Sequence, residues 1–215
     1  ASTRMIGGLI MVHSDDNGLV LPPKIAPRQV VIVPITMDEE VLGVCHSILD
    51  KLKGAGITAF VDETDRSSGF KFAEHEVNGI PVRVEIGKRD LENGTITLAR
   101  RDTRERITVP KDGDIVTEVR ELMDAIQKNL YNTALERNKK KTFEAHNLGD
   151  VRKIMETTPG FVYADWCGDT DCELKMKEIR GTKSRCIVEN HKMIDGKCVV
   201  CGKPAKHTVV WGIQY

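Results

Sequence analysis

Glu74-His75-Glu76-Val77-Asn78-Gly79-Ile80-Pro81-Val82-Arg83-Val84-Glu85-Ile86-Gly87-Lys88-Arg89-Asp90 is the stretch whose reading decides the fold. Asn78-Gly79 closes a short helix over Phe70 to Val77, because glycine tolerates the left-handed turn that ends a helix. Ile80 to Gly87 then alternates strictly, which puts Val82, Val84 and Ile86 on one sheet face and Arg83 and Glu85 on the other. Lys88-Arg89-Asp90 falls on the loop at the strand's end. Donors and carboxylate acceptors are thus presented on an otherwise apolar sheet.

Elements on either side extend the pattern. Gln29 to Ile35 is a continuous apolar run of strand length, as expected of a parallel strand covered on both faces. Asp38-Glu39-Glu40 opens a helix with carboxylates at its positive end. Val41, Leu42, Cys45, Ile48, Leu49 and Leu52 give that helix its apolar face, and Cys45 reads as plain core. Gly54 and Gly56 end it, and Ile57 to Asp62 is the next strand. Gly94 to Arg100 alternates, Glu105 to Val109 can pair with it, and Ile115, Val119, Leu122, Ile126 and Leu130 recur at helical spacing. Strand, helix, strand, helix, strand, strand, helix predicts an α/β domain with a mixed sheet.

The expected organisation is residues 1–27 as a separate N-terminal segment, 28–131 as the α/β domain, 132–142 as a helical connector and 143–215 as a small α+β domain. The last holds a helix over Leu148 to Met155, a strand over Phe161 to Asp165 and five of the six cysteines. Lysine and arginine balance aspartate and glutamate at 32 each. Any RNA contact therefore rests on local groups, not on a global field. The basic runs Arg100 to Arg106 and Arg137 to Lys141 are such groups, although a solvated face explains either run alone. No apolar stretch approaches the ~20 residues of a membrane span, and the N-terminus lacks a secretory pattern. A cytoplasmic setting without membrane contact is expected.

Cys167-x4-Cys172 and Cys198-Val199-Val200-Cys201 are two close thiol pairs at chelating spacing. Four thiolates suit a closed tetrahedral structural zinc, and soft sulfur selects zinc or iron over magnesium or calcium. A disulfide pair, a catalytic zinc and a chance cluster are the competing readings. The cytosolic setting disfavours the first and the lack of an open, histidine-rich donor set the second. Cys186 is a possible replacement ligand, with His191 and His207 as weaker ones.

The chain also resembles a known family. Ser2-Thr3-Arg4-x-Ile6-Gly7, the Ile10-Met11-x-His13-x-Asp15-Asp16 turn and Gly18-Leu19-Val20-Leu21-Pro22-Pro23-x-x-Ala26-Pro27 are similar to the motif 3 region of class II aminoacyl-tRNA synthetases, closest to prolyl-tRNA synthetases of the archaeal and eukaryotic type. Ser14 stands where that family usually has glycine. The resemblance implies that residues 1–27 are a remnant of the catalytic domain, lining one wall of its site. Arg4 would be the arginine that holds the ATP phosphates, a role its rigid charged fork suits.

Glu76, then Gly79-x-Pro81-x-Arg83-x-Glu85-x-Gly87, a basic residue and Asp90 resemble the anticodon-binding domain of the same enzymes. By that resemblance Glu76, Arg83, Arg89 and Asp90 read the two guanines of the proline anticodon, whose amino and imino donors suit carboxylates and whose carbonyl and ring-nitrogen acceptors suit arginines. Arg101 would meet tRNA backbone phosphates. Trp166-Cys167-Gly168, Asp171-Cys172-Glu173, Lys183-Ser184-x-Cys186-Ile187 and the closing Trp211 to Tyr215 resemble the family's C-terminal domain, with Tyr215 directed at the catalytic domain. The implied parent reaction joins proline to its tRNA through prolyl-adenylate, using ATP and magnesium, in an enzyme expected to be a homodimer. This portion alone is expected neither to form the adenylate nor to charge tRNA. The rival expectation is a free-standing tRNA- or RNA-binding adaptor with a structural zinc and no catalysis.

Overall fold

A computed structural model describes residues 2–190 and 192–214. The expectations for His191 and Tyr215 lie outside the described residues. The chain divides into two compact units, residues 1–132 and 133–215.

The first unit opens with helix α1 (Arg4–Val12), followed by a small hairpin of β1 (Ser14–Asp15) and β2 (Gly18–Leu19). The helix is rich in apolar residues yet lies open to solvent. None of the residues of α1 is buried, and Met5, Ile6, Ile10, Met11 and Val12 are all exposed. The hairpin, by contrast, is firmly seated. Gly18 and Gly79 both have positive φ, and a Cβ at Gly79 would come within 2.6 Å of the Leu19 Cβ. Backbone therefore packs on backbone where the helix before Gly79 ends, which only glycine permits.

The main elements follow in order: β3 (Val30–Pro34), α2 (Glu39–Gly54), β4 (Ala59–Val61), α3 (Ser68–Val77), β5 (Val82–Ile86), α4 (Lys88–Glu92), β6 (Thr95–Arg100), β7 (Arg106–Pro110) and α5 (Ile115–Lys140). They build one five-stranded sheet in the order β4-β3-β5-β6-β7, in which β3 runs parallel to β4 and β5 while β6 and β7 are antiparallel. The mixed sheet is the one the sequence predicts. Val30, Ile32, Val82, Val84, Ile86, Ile96 and Leu98 bury one face against Val41, Cys45, Ile48 and Leu52 of α2 and Val119, Leu122 and Ile126 of α5. Cys45 is core, and burial pushes its thiol up to about 11. On the opposite face Val31, Val33 and Ile80 pack with Phe60 and Phe72 of β4 and α3. Lys88-Arg89-Asp90 forms the one-turn helix α4 instead of the expected loop.

The second unit contains β8 (Thr142–Ala145), α6 (Leu148–Thr157), β9 (Phe161–Trp166), α7 (Thr170–Lys177), β10 (Thr182–Ile187) and β11 (His207–Ile213). Its sheet runs β10-β11-β9-β8, antiparallel except for the β8–β9 pair. Ala145, Val151, Met155, Val162, Ala164, Met176, Ile179, Val209 and Trp211 form its core.

Candidate nucleic-acid interface and metal centre

The polar side of β5 meets α3 at a compact charged cluster. The guanidinium of Arg83 donates from Nη1 to Glu76 Oε1 at 3.2 Å and from Nε to Glu85 Oε1 at 2.9 Å. Its Cζ lies 4.1 Å from the Phe72 ring centroid, within cation–π range. Arg106 of β7 donates to the second oxygen of Glu85. Glu76 and Arg83, two of the residues singled out in the sequence, are thus in direct contact. Arg89 is exposed on α4. Asp90 is partly engaged: its Oδ2 accepts from the Gly87 N–H at 2.9 Å, capping α4.

Arg101 needs a correction. Expected at the surface against phosphates, its side chain is only 2% exposed. Nε donates to the Glu76 carbonyl at 2.9 Å, while Nη1 and Nη2 donate to both oxygens of Asp15 at 2.8 and 2.7 Å. All three nitrogens are engaged inside the unit, so Arg101 clamps the N-terminal hairpin to α3 and β6. The guanidinium of Arg101 holds the Asp15 carboxyl far below the usual carboxylate range. Arg100 is equally committed, gripping Asp102 bidentately at 3.0 and 2.8 Å, and Asp102 accepts from Asn129 of α5. The cations this run leaves exposed are Arg104 and Arg106.

Arg4 lies in the first turn of α1, exposed.

Cys167, Cys172, Cys198 and Cys201 converge in the second unit, with all four sulfurs within 4.8 Å of one another. Cys167 and Cys172 are 3.7 Å apart, as are Cys201 and Cys167. A tetrahedron of sulfurs about 2.3 Å from a central zinc has edges of about 3.8 Å, so the donor set fits a four-thiolate ion. Burial drives the Cys167 and Cys172 thiols up. It opposes ionisation at Cys198 too, but the backbone N–H groups of Cys201 and Val200 outweigh it and bring that thiol down to about 7. Gly168 and Gly202, each following a cysteine, have φ of +89° and +73°. Cys186 sits exposed on β10, and among the described residues neither it nor His207 belongs to the cluster.

A residue the sequence reading passed over supports this centre. Asp165 of β9 is buried and accepts from Thr208 Oγ1 at 2.6 Å and from the Asp195 and Gly196 N–H groups at 2.9 and 2.8 Å. Those bonds outweigh the cost of burial and keep its carboxyl below the usual range. They also fix the loop that leads into Cys198. A lone aspartate in an apolar strand was the available signal.

Read together, the two units define an anticodon-binding α/β domain joined to a small domain with a four-cysteine centre. The comparisons agree: residues 29–128 match the family described as anticodon binding domain, and 148–215 match prolyl-tRNA synthetase, C-terminal. Over all 215 residues the chain is 45% identical to the "Proline--tRNA ligase" of Clostridium novyi (strain NT) and 46% identical to that of Lachnoclostridium phytofermentans. It covers 45% and 44% of those proteins, and so spans a little under half the length of the relatives it matches. The chain belongs to the prolyl-tRNA synthetase family and corresponds to the C-terminal part of its members.

Proposed function

We propose that this chain is the tRNA-reading portion of an ATP-dependent proline–tRNA ligase, acting in the cytoplasm on the tRNA for proline. The observation that supports it best is Arg83, its guanidinium over the Phe72 ring and hydrogen-bonded to Glu76 and Glu85. Unstacked bases in single-stranded loops are bound by this combination of aromatic or guanidinium plane and fixed polar edge. In the proposed reading Glu76 and Asp90 accept from guanine N1–H and amino groups, while Arg83 and Arg89 donate to guanine acceptors. Asp90 has one carboxylate oxygen left after capping α4, enough for one such bond.

The four thiolates would hold a zinc ion, which supplies a cross-link that stands in for the large core this unit lacks. Residues 1–27 are proposed as a piece of the catalytic domain, with Arg4 as its phosphate ligand. No activation step is derived from them, since Arg4 alone does not assemble a site for ATP and magnesium. Homodimerisation is proposed for the whole enzyme.

Binding of the chain to a proline tRNA transcript, compared with one changed at both anticodon guanines, tests the reading. Weaker binding of the altered transcript, with the preference lost in Glu76→Ala and Arg83→Ala, is expected. Tight but indiscriminate binding points to the adaptor, and no binding overturns any RNA role.

A further inference from the structure

We infer that the cavity bounded by α7, β10 and β11 is a separate ligand site, built for a small neutral molecule with a flat apolar body and an amide-type edge. It lies wholly within the second unit and does not depend on the anticodon reading.

A break in strand register opens the space. Ser184 of β10 pairs with Trp211 of β11, but the next pair is Cys186 with Val210, so Arg185 is an extra residue on β10. Such a bulge bends its strand out of the regular ladder. The cavity beside it measures about 200 Å³. That is roughly the share of six or seven liquid waters at about 30 Å³ each, room for a single ring with one substituent. Trp166, Trp211, Ile187 and Val209 supply apolar walls, and the two indoles meet edge to face at 6.5 Å and 84°. Cys186 and Ile187, both exposed, stand at the open side where a ligand enters.

Two polar groups decide what fits. Trp211 is fully buried, yet its Nε1–H has no hydrogen-bond partner among the described residues. An indole nitrogen only donates, and a buried donor left unpaired is costly. The cavity that this ring lines is where an acceptor can reach it. Trp166, the neighbouring indole, is the satisfied case, its Nε1 donating to the Asp169 carbonyl at 3.1 Å. The second group is Glu173 of α7. Its Oε1 accepts from Ser184 Oγ at 3.1 Å and pairs with Lys177 Nζ at 3.2 Å, which leaves Oε2 to accept from a ligand. The charges of the wall are already matched. Lys177 faces Glu173, and Arg185 turns its Nη2 to the carbonyls of Gly212 and Ile213 at 3.3 and 2.5 Å. With its guanidinium so engaged, the wall holds no cation set aside for an anion, and the fitting ligand is neutral. Its edge carries a carbonyl for Trp211 beside an N–H for Glu173, the pattern of an aromatic primary carboxamide or a lactam. Apolar walls with a few placed polar groups are the usual make-up of a small-molecule site.

The chain has two tryptophans, so a proton–nitrogen NMR spectrum of the full chain carries two indole N–H signals, which Trp166→Phe assigns. Benzamide is the probe. It is expected to move the Trp211 signal downfield and saturably, while the Trp166 signal, already hydrogen-bonded, moves far less. Acetophenone keeps the carbonyl and replaces the amide nitrogen by a methyl group; it is expected to bind about fivefold more weakly. Glu173→Ala should erase that difference, with melting and metal content measured alongside because Glu173 follows Cys172. Ile187→Trp, at a half-exposed edge residue that need not disturb folding, should fill the entrance and abolish saturation. A Trp211 signal that stays fixed up to the solubility of benzamide, or equal and unsaturable movement of both signals, leaves the cavity to water and overturns the site. Saturable binding that survives Ile187→Trp overturns its location. Equal affinity for benzamide and acetophenone overturns the role of Glu173 and with it the amide edge.

Discussion

Arg101 and Asp15, 86 residues apart in sequence, are joined by two parallel charge-assisted hydrogen bonds of 2.7 and 2.8 Å. The pair fastens the N-terminal hairpin to the sheet. Because the Arg101 side chain is almost wholly enclosed, removing the Asp15 carboxylate leaves a charge that water can only partly re-solvate. Asp15→Asn should lower unfolding stability by on the order of 2 kcal/mol, below the 3–5 kcal/mol of fully buried pairs because Asp15 is about one-third open to solvent. The pH dependence has a definite sign. Asp15 is depressed in the folded state, so its contribution is complete above the unfolded value of about 3.9 and is lost as pH falls below it. Urea titrations should show a wild-type advantage over Asp15→Asn that is constant at neutral pH and shrinks on acidification below about pH 4.

Gly79 makes the second anchor of that hairpin. Its φ of +70° and the nearness of Leu19 leave no place for a side chain. Gly79→Ala should cost at least about 1–2 kcal/mol from the left-handed backbone alone. Gly94 also has positive φ, at +66°, but has open space around it. Comparing the melting of Gly79→Ala with that of Gly94→Ala isolates the close approach: the former should be clearly the less stable of the two.

The four-cysteine centre should bind one divalent ion per chain. Cobalt substitution should give the visible absorption of a tetrahedral sulfur site. Cys198→Ala should abolish it and Cys186→Ala should leave it unchanged, since Cys186 stands apart from the cluster. Chelation should melt the second unit and spare the first, whose core is separate. An intact second unit in the metal-free protein would count against a structural ion.

Asp165 should matter to that ion without touching it. Asp165→Ala leaves Thr208 and two backbone N–H groups without their acceptor and loosens the approach to Cys198. A loss of metal affinity of roughly 10–100-fold is expected, the range seen when groups that orient ligands are removed. Competition with a chromophoric chelator measures it.

The sheet of the first unit was legible because its strands carry unbroken apolar runs or strict alternation, and because α2 and α5 repeat apolar residues at helical spacing. Periodicity failed where elements were short or their burial depended on distant partners. Lys88–Glu92 is a single turn, set by the Asp90 cap and not by any repeat. β10 reads Thr182-Lys183-Ser184-Arg185-Cys186-Ile187, polar enough to look like a loop, because it is a sheet edge largely open to water. The apolar run of α1 could not reveal its own exposure. In the site, the family resemblance named Glu76 and Arg83, which by spacing alone read as a surface strand with compensating ion pairs, and the alternation put Glu85 beside Arg83. Arg106 was invisible until the β6–β7 register brought it over Ala99. Arg101 misled for a related reason: a basic run looks like surface, and only the fold shows that Arg100 and Arg101 have internal carboxylates.

The central claim is that Glu76 and its neighbours hold the Watson–Crick edges of the anticodon guanines. Chemical footprinting of proline tRNA with kethoxal, which modifies guanine at N1 and the exocyclic amine, tests it most directly. With the wild-type chain bound, both anticodon guanines should be protected, and protection should fall away with Glu76→Ala at RNA concentrations that still saturate the variant. Equal modification of those guanines in free and bound tRNA would contradict the account.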